Sequence, residues 1–282
     1  MSAIVLWIGY ICGKLDVANM TRLIIVLIIS IHFAMSKKVT DDQGVDYCSL
    51  SCENSAHTVC IRRKARCGPA AHCNSFMEFL NDESRQYILD IHNHLRNQIA
   101  LGLETRGFQP PASNMNALVY SKNLEYVAQC LTNTCQYAHD VCRITHKYPS
   151  VGQNIGVKWF SGKKYDNYKT VINETIYSWY EQVTSFNSSW VENFPDERGI
   201  EAYAQLAWAN TLEVGCGLTF WSEDGWHIYF FACNYGPAGN LPGAPMYAIG
   251  TAATDCSDGM EPNKKFKGLC GQDRINKKES LY

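Results

Sequence analysis

The order of the predicted elements, three amphipathic helices followed by a β-hairpin, predicts an α+β fold for this 282-residue chain. Apolar residues recur three or four positions apart in each helical segment, whereas the hairpin has two β-prone runs around an Asp-Gly pair. Thirteen cysteines indicate that disulfides reinforce this fold. The length suits one sizeable domain or two small ones.

The first helix is predicted over residues 81–102. Asn81 or Asp82 can cap its first turn, and Gly102 is a suitable stop. Its apolar residues are spaced three, four and four positions apart, so that they share one face. They are Ile88, Ile91, Leu95 and Ile99.

Two further helices follow. The second begins after Ser121, and the third covers residues 168–183. The apolar face of the third helix spans two adjacent rows, a width typical of a helix that packs on a sheet. The inward residues are Leu124, Val127, Ala128 and Leu131 in the second helix, and Val171, Thr175, Trp179, Val183, Ile172, Ile176 and Tyr180 in the third.

The hairpin is predicted over residues 214–236, with Asp224 and Gly225 as its turn. Cys216 and Cys233 lie equally far from this turn, and we expect them to meet across the hairpin.

The first 36 residues read as a secretory signal peptide. Arg22 gives the basic start, an apolar run follows, and Ala34-Met35-Ser36 is a small-x-small cleavage site. Met20 is an alternative start of the protein, and a signal anchor is the alternative to cleavage. The two apolar runs of this segment, residues 3–13 and 23–29, both fall short of the ~20 residues of a membrane-spanning helix, so we expect no stable membrane span.

The cysteine count agrees with an extracellular location. Cys12 lies in the predicted signal peptide, and the remaining even number predicts six disulfides. Zinc is the rival interpretation for Cys48 and Cys52, but the other spacings form no Cys-x2-Cys pairs. We therefore expect no metal. A cysteine-rich, loop-rich segment is expected over 37–80, the main domain over 81–250, and a short tail closed by one disulfide over 251–282.

Charge and sequons add three expectations. The net charge of −2 gives no support for a nucleic-acid partner. The basic run Arg62-Arg63-Lys64 is interpreted as a solvated loop, with a nucleic-acid or heparin patch as the alternative. Asn173 and Asn187 lie in N-x-S/T sequons, and glycans there require both to lie on the surface.

Six stretches resemble, in order, the CAP superfamily. They are HNHLRNQIALG (92–102), CQYAHDVCR (135–143), SVGQNIGV (150–157), WYEQV (179–183), AYAQLAWANT (202–211) and FACNYGPAGN (231–240). The resemblance runs from Asp46 to Cys270 and is greatest to the antigen 5 branch of arthropod venoms and saliva. It implies a three-layer α-β-α sandwich with a central cavity, and a CAP domain over 81–250.

The resemblance also implies disulfide pairs. Cys135 would pair with Cys73 or Cys67, and Cys130 with whichever of these remains. The assignment is Cys48–Cys60, Cys52–Cys142, Cys73–Cys135, Cys67–Cys130, Cys216–Cys233 and Cys256–Cys270.

Many CAP proteins place two histidines and two acidic residues around the cavity, where they can bind a divalent metal. These positions correspond here to His139, Gln153, Glu181 and Ala202, so one acid and one histidine are replaced. Alanine has no lone pair to offer, and an amide is a weak ligand. We therefore expect no metal, no cofactor and no catalytic residue, with Gln205 as cavity lining.

Two smaller interpretations concern histidines. We expect His139 and Glu181 to form a buried ion pair in the cavity wall, with a general base as the alternative. His92 and His94 point in different directions on a helix, so we interpret them as structural. Asn93 and Arg96 should tie the same helix to neighbouring backbone.

The predicted function is that of a secreted, non-enzymatic, antigen 5-like protein. Its partner would be an extracellular protein, of a host or of the same organism, or a small lipid- or sterol-like ligand, and we expect a monomer. Hydrolase or metal-dependent redox chemistry is the alternative, and integrin binding is weakened because no Arg-Gly-Asp occurs. Two apolar helix rows are interpreted as ordinary core, with an apolar groove between the helices as the alternative. They are Ile88, Ile91, Leu95, Ile172, Ile176 and Tyr180.

Overall fold

A mixed sheet forms the middle layer of the protein, with helices packed on both of its faces. The computed structural model describes residues 46–73, 77–78, 80–162, 167–196 and 198–275. The predicted signal peptide lies outside these residues. None of the helices within them is long and apolar enough to cross a lipid bilayer.

The secondary structure comprises short elements near the amino terminus and long ones in the main domain. The helices are α1 (Thr58–Ile61), α2 (Asp82–Ala100), α3 (Lys122–Thr132), α4 (Tyr168–Tyr180) and α5 (Glu201–Leu206). The strands are β1 (Ser51–Cys52), β2 (Ser55–Ala56), β3 (Met77–Glu78), β4 (Val119–Tyr120), β5 (Gly152–Ser161), β6 (Glu213–Glu223) and β7 (Trp226–Gly236).

The sheet has the strand order β3-β6-β7-β5, and β4 pairs in parallel with β6. β6 and β7 form the predicted hairpin, whose turn residues Asp224 and Gly225 both have positive φ. Cys216 lies directly opposite Cys233 in the register of this hairpin. Because β7 is flanked on both sides, most of its residues are buried.

Successive side chains of β7 point to opposite faces of the sheet and pack in different layers. Phe230 packs with Leu131 of α3 on one face, whereas the ring of Phe231 stacks on Trp179 of α4 on the other, at 5.6 Å between centroids. The predicted inward residues of all three helices are buried. The three-layer α+β arrangement is therefore confirmed.

The boundaries of the helices follow from local chemistry. Asn81 caps α2, since its side chain accepts from the Ser84 amide while the Ser84 hydroxyl accepts from the Asn81 amide. Ser121 caps α3, as expected. The prediction for the third helix was three residues too long, because α4 ends at Tyr180 and a 3-10 turn, Glu181–Ser185, follows it.

Helix α3 approaches the sheet very closely at Gly217 of β6. A Cβ added there would lie 2.5 Å from the Gln129 backbone nitrogen and Cα. Backbone atoms of a helix cannot move aside as a flexible side chain can, so the position has no room for a methyl group.

We expect Gly217→Ala to lower the free energy of unfolding by about 1–3 kcal/mol, the usual range for overpacking. Chemical denaturation of the variant measures this change. An unchanged free energy of unfolding would contradict the close approach of α3.

Both segments that flank the main domain are packed into it. In the cysteine-rich segment, Tyr47 and Val59 form a small core with Val127 of α3. In the tail, Phe266 and Leu269 join the main core beneath α2. Six disulfides connect the same pairs that the resemblance implies: Cys48–Cys60, Cys52–Cys142, Cys67–Cys130, Cys73–Cys135, Cys216–Cys233 and Cys256–Cys270.

Candidate functional site

The four positions of the family site lie around one end of β5, but each has its own structural partner. Gln153 lies in β5 opposite Asn234 of β7. Its amide nitrogen donates to Asp140 Oδ1 at 3.0 Å and to Asn234 Oδ1 at 2.9 Å. Its amide oxygen accepts from His139 Nδ1 at 2.7 Å. Both ends of the Gln153 side chain are therefore used within the fold.

His139 lies on an exposed loop between Cys135 and Cys142, two cysteines held in different disulfides. The next residue, Asp140, anchors this loop. Its Oδ2 accepts from Thr58 Oγ1 at 2.6 Å, and its Oδ1 accepts from Arg143 Nε. Since His139 Nδ1 carries the proton donated to Gln153, only Nε2 keeps a free lone pair.

Glu181 is engaged by a cation of the protein itself. It opens the 3-10 turn after α4, and its side chain is 56% exposed. Arg106 Nη1 lies 2.6 Å from Glu181 Oε1, and Arg106 Nη2 lies 2.8 Å from Glu104 Oε2. The guanidinium therefore bridges two carboxylates and neutralises the one that could bind a metal.

The expected buried ion pair between His139 and Glu181 was wrong. Both residues are exposed, and they bond to Gln153 and Arg106 respectively. Polar side chains at the surface keep their hydration, so they do not need each other as partners.

Ala202 occupies the fourth position, near the start of α5. Its backbone nitrogen donates to Gln182 Oε1 at 2.9 Å, and its carbonyl accepts from Asn154 Nδ2 at 2.9 Å. Gln182 also accepts from the Tyr203 amide, so it satisfies two of the free amides at the start of α5. The backbone here is fixed, but the methyl group of Ala202 adds no ligand.

Gln205 is almost completely buried and connects three parts of the chain. Its amide nitrogen donates to Thr211 Oγ1 at 3.1 Å, and its oxygen accepts from the Gly239 amide at 2.8 Å. Such a satisfied amide stabilises the loop after β7. Gln205 therefore belongs to the packing of the protein.

The apolar rows proposed as a groove are core. All six side chains belong to the main hydrophobic cluster, and none is more than 9% exposed. The preferred interpretation of ordinary core therefore describes these residues, and they offer no exposed surface for the alternative of a groove. They are Ile88, Ile91, Leu95, Ile172, Ile176 and Tyr180.

The two histidines of α2 point in different directions, as predicted. His94 is exposed, whereas His92 is fully buried. His92 Nδ1 donates to the Ile88 carbonyl at 2.8 Å, and Nε2 accepts from the Tyr235 hydroxyl at 2.9 Å. Burial lowers the pKa of His92 to about 4, so the ring is neutral in the folded protein.

Acidification from pH 6.5 to pH 4 should lower the free energy of unfolding by about 3 kcal/mol through His92. The pKa of His92 falls from 6.5 to about 4 on folding, so between these values the unfolded chain binds the extra proton. The stabilisation is thus fully present above pH 6.5 and is lost as the pH falls towards 4. Burial also lowers the pKa of His57, which adds to the same trend.

Denaturation at several pH values measures this dependence. His92→Gln should flatten it, while His94→Gln, at an exposed site on the same helix, should leave it unchanged. Equal pH slopes for the His92 variant and the unmodified protein would contradict the assignment.

The predicted ties between α2 and neighbouring backbone are confirmed. Asn93 Nδ2 donates to the Leu118 carbonyl at 3.0 Å, and Asn93 Oδ1 accepts from the Leu118 amide at 2.7 Å. Arg96 is completely buried, and its bonds to the described residues all go to backbone carbonyls, among them that of Asn116.

The two sequons are not equally accessible. Asn187 is exposed, and its side chain caps a 3-10 turn through the Ser189 amide at 3.0 Å. Asn173 is half-buried within α4 and accepts from the Tyr87 hydroxyl at 3.4 Å. Glycans would require both residues to lie on the surface, which Asn187 does fully and Asn173 in part, and glycosylation of either stays a prediction.

Within the ranges that the structure describes, no three His, Cys, Asp or Glu side chains are grouped so as to hold a metal ion. Sequence reasoning located the four family positions. It missed three residues that hydrogen-bond to them, which are Arg106, Asp140 and Gln182. Gln182 lies inside the WYEQV stretch, directly after Glu181, and this position is the signal that could have indicated it. No local signal near Arg106 indicates its contact with Glu181, which is 75 residues away.

Known proteins resemble this chain in sequence and in fold. Residues 89–235 match the cysteine-rich secretory protein family (CAP). Venom allergen 3 homolog of Dinoponera quadriceps is 38% identical over 216 residues, which cover 73% of this chain and 90% of that protein. Venom allergen 5 of Vespula pensylvanica is 39% identical over 208 residues, covering 72% and 98% respectively.

Two solved structures have a similar fold. BmVAL-1 is 25% identical with a TM-score of 0.58, covering 70% of this chain and 96% of its own. NaASP2, solved with Zn2+, is 24% identical with a TM-score of 0.57, covering 72% and 100%.

Proposed function

Because this chain belongs to the cysteine-rich secretory protein family (CAP), we propose that it is a secreted, non-catalytic binding protein of the antigen 5 type. One observation carries the proposal. The polar side chains kept at the family site are held by the fold itself, His139 by Gln153 and Glu181 by Arg106. The side chain of Ala202, at the fourth position, has no atom that can bind a metal.

Metal-dependent hydrolase or redox chemistry is the alternative, and NaASP2 shows that a protein of similar fold has been solved with zinc. In this chain a metal would have to displace Arg106 from Glu181, and it would find only one imidazole nitrogen nearby. Three or four lone-pair donors are usual for a bound zinc ion.

Calorimetric titration with zinc and copper tests the alternative. We expect no binding at micromolar metal and no activity that chelation removes. The variant Gln153→Glu/Ala202→His restores both missing ligands and serves as the matched control, in which micromolar binding should appear. Tight binding of zinc by the unmodified protein would overturn the proposal.

Of the two partner classes, the proposal favours an extracellular protein over a small lipid- or sterol-like ligand. The residues considered for an apolar groove are in the core, so they offer no surface to a lipid. By contrast, Tyr137, Trp159 and Trp226 are exposed aromatic side chains at the β5 side of the sheet. Tyrosine and tryptophan are enriched in protein interfaces.

These aromatic residues form one connected face. The Tyr137 and Phe230 rings pack in a T-shaped arrangement at 5.7 Å between centroids, and Phe230 pairs with Val157 of β5. Trp159 is the next residue on that face of β5, and Trp226 pairs with Ser161 two residues further on. A protein partner could bury all three rings at once.

Three measurements test which partner binds. Native mass spectrometry of the secreted protein should show no bound lipid, and added fatty acids or sterols should leave the melting temperature unchanged. Sedimentation should give a monomer, leaving the aromatic face free. A copurifying lipid would favour the small-ligand alternative, and a dimer would make a second copy the occupant of this face. We expect no binding of nucleic acid.

A further inference from the structure

The cations near the amino terminus are unusually concentrated. The whole chain has a net charge of −2, yet residues 54–77 contain no Asp or Glu. Arg62, Arg63, Lys64 and Arg66 all lie within this stretch. We call residues 62–66 the basic turn. A local excess of positive charge on a nearly neutral protein attracts anionic partners to that part of the surface.

The backbone of the basic turn is held in a defined shape. Arg63–Ala65 form a 3-10 turn, and Arg66 adopts a left-handed conformation with φ 48°. The Gly68 amide closes the turn by donating to the Ala65 carbonyl at 2.8 Å. Disulfides on both sides, Cys48–Cys60 and Cys67–Cys130, tie it to the rest of the protein. The backbone that carries its cations is therefore held in place.

The four cations divide into two kinds. Arg62 serves the fold, since its guanidinium donates to the Cys130 and Gly68 carbonyls. Arg63, Lys64 and Arg66 are exposed, and in the described part of the chain none of them forms an ion pair. Three like charges left within four positions repel one another, and an anionic partner would relieve this repulsion.

We propose that the basic turn binds a sulfated polysaccharide of an extracellular surface. Arginine presents a planar fork of donors that matches tetrahedral oxyanions, and two of the three free cations are arginines. A chain of closely spaced sulfates can contact all three at once. An anionic membrane is the competing partner, but it also requires apolar insertion, and Ile61 is the one strongly exposed apolar residue at the described turn.

This inference depends on the proposed secretion but not on the loss of the metal site, so the two can fail separately. The test uses a heparin octasaccharide and a triple variant, Arg63→Ser/Lys64→Ser/Arg66→Asn. Asparagine is chosen at position 66 because it tolerates the left-handed backbone. A double variant, Arg63→Ser/Lys64→Ser, avoids that position in case the triple variant folds poorly.

The matched control removes three exposed cations from the tail, Lys264→Ser/Lys267→Ser/Arg274→Ser. It changes the net charge by the same amount but leaves the basic turn intact. If each cation near an anionic surface contributes roughly a fivefold factor, the triple variant should bind about 100-fold more weakly. For nucleic-acid polyanions each contact contributes about −0.7 to −0.9 to the salt slope, so the slope should flatten by about 2 to 3.

Several outcomes would overturn the proposal. They are no binding of the octasaccharide by the unmodified protein, equal binding of a desulfated octasaccharide, and equal losses in the triple variant and the tail control. Binding to phosphatidylserine vesicles without binding to the octasaccharide would assign the turn to a membrane instead.

Discussion

Replacing Arg96 with methionine should lower the free energy of unfolding by about 3–5 kcal/mol, because it leaves several buried carbonyls without hydrogen-bond donors. Arg96 lies on α2, and its side chain is completely buried against the loop before β4 and the end of α5. Its guanidinium donates to the carbonyls of Asn116, Leu206 and Trp208 at 2.7–2.9 Å. Methionine has similar length but no donors, so these buried carbonyls would lose their partners.

The conservative variant separates charge from geometry. Arg96→Lys keeps a positive charge, but an ammonium has three donors around one atom, whereas the guanidinium reaches several carbonyls in a plane. We therefore expect Arg96→Lys to recover little of the stability lost in Arg96→Met. The exposed neighbour His94→Met is the control and should stay within about 0.5 kcal/mol of the unmodified protein.

Chemical denaturation of the three variants measures these differences. A loss below about 1 kcal/mol in Arg96→Met would mean that the carbonyls find other donors. Arg96 would then not be needed to hold the end of α5 against α2.

The helices and the hairpin could be predicted because their signals are local. The apolar spacing of α2, with Asn81 as its cap, and the Asp224-Gly225 turn each lie within a few residues. Strand β5 gave no such signal. Gly156 weakens its strand pattern, and this glycine is needed because a Cβ there would lie 2.2 Å from Thr175 Cγ2 of α4. The requirement arises from the packing of two distant segments.

The candidate site shows the same division between local and distant information. Its four positions could be located because each lies in a recognisable stretch. Their partners could not, because Arg106 and Glu181 are 75 residues apart and nothing in either stretch indicates the other. The exposure of His139 likewise depends on where two disulfides hold its loop. A sequence can thus identify a lost ligand more readily than the contact that has replaced it.

Removing the disulfide between Cys52 and Cys142 should lower the free energy of unfolding by about 3–4 kcal/mol. This bridge connects β1 to the loop that carries His139 and Asp140. The Thr58 amide donates to the Cys142 carbonyl at 2.9 Å beside it. The expected loss is smaller than the sequence separation of 90 residues suggests. Chain entropy alone would give about 4.6 kcal/mol for a loop of that length.

The reduction follows from the other bridges. With Cys67–Cys130 intact, the loop closed by Cys52–Cys142 runs from Cys52 to Cys67, across that disulfide, and from Cys130 to Cys142, about 27 residues in all. The same relation gives about 3.5 kcal/mol for a loop of this length. Removing Cys256–Cys270, with a separation of 14, should cost about 3 kcal/mol. The paired serine variants Cys52→Ser/Cys142→Ser and Cys256→Ser/Cys270→Ser should therefore lose similar stability in denaturant titrations. A difference above about 1.5 kcal/mol would show that the long loop is closed independently of its neighbours.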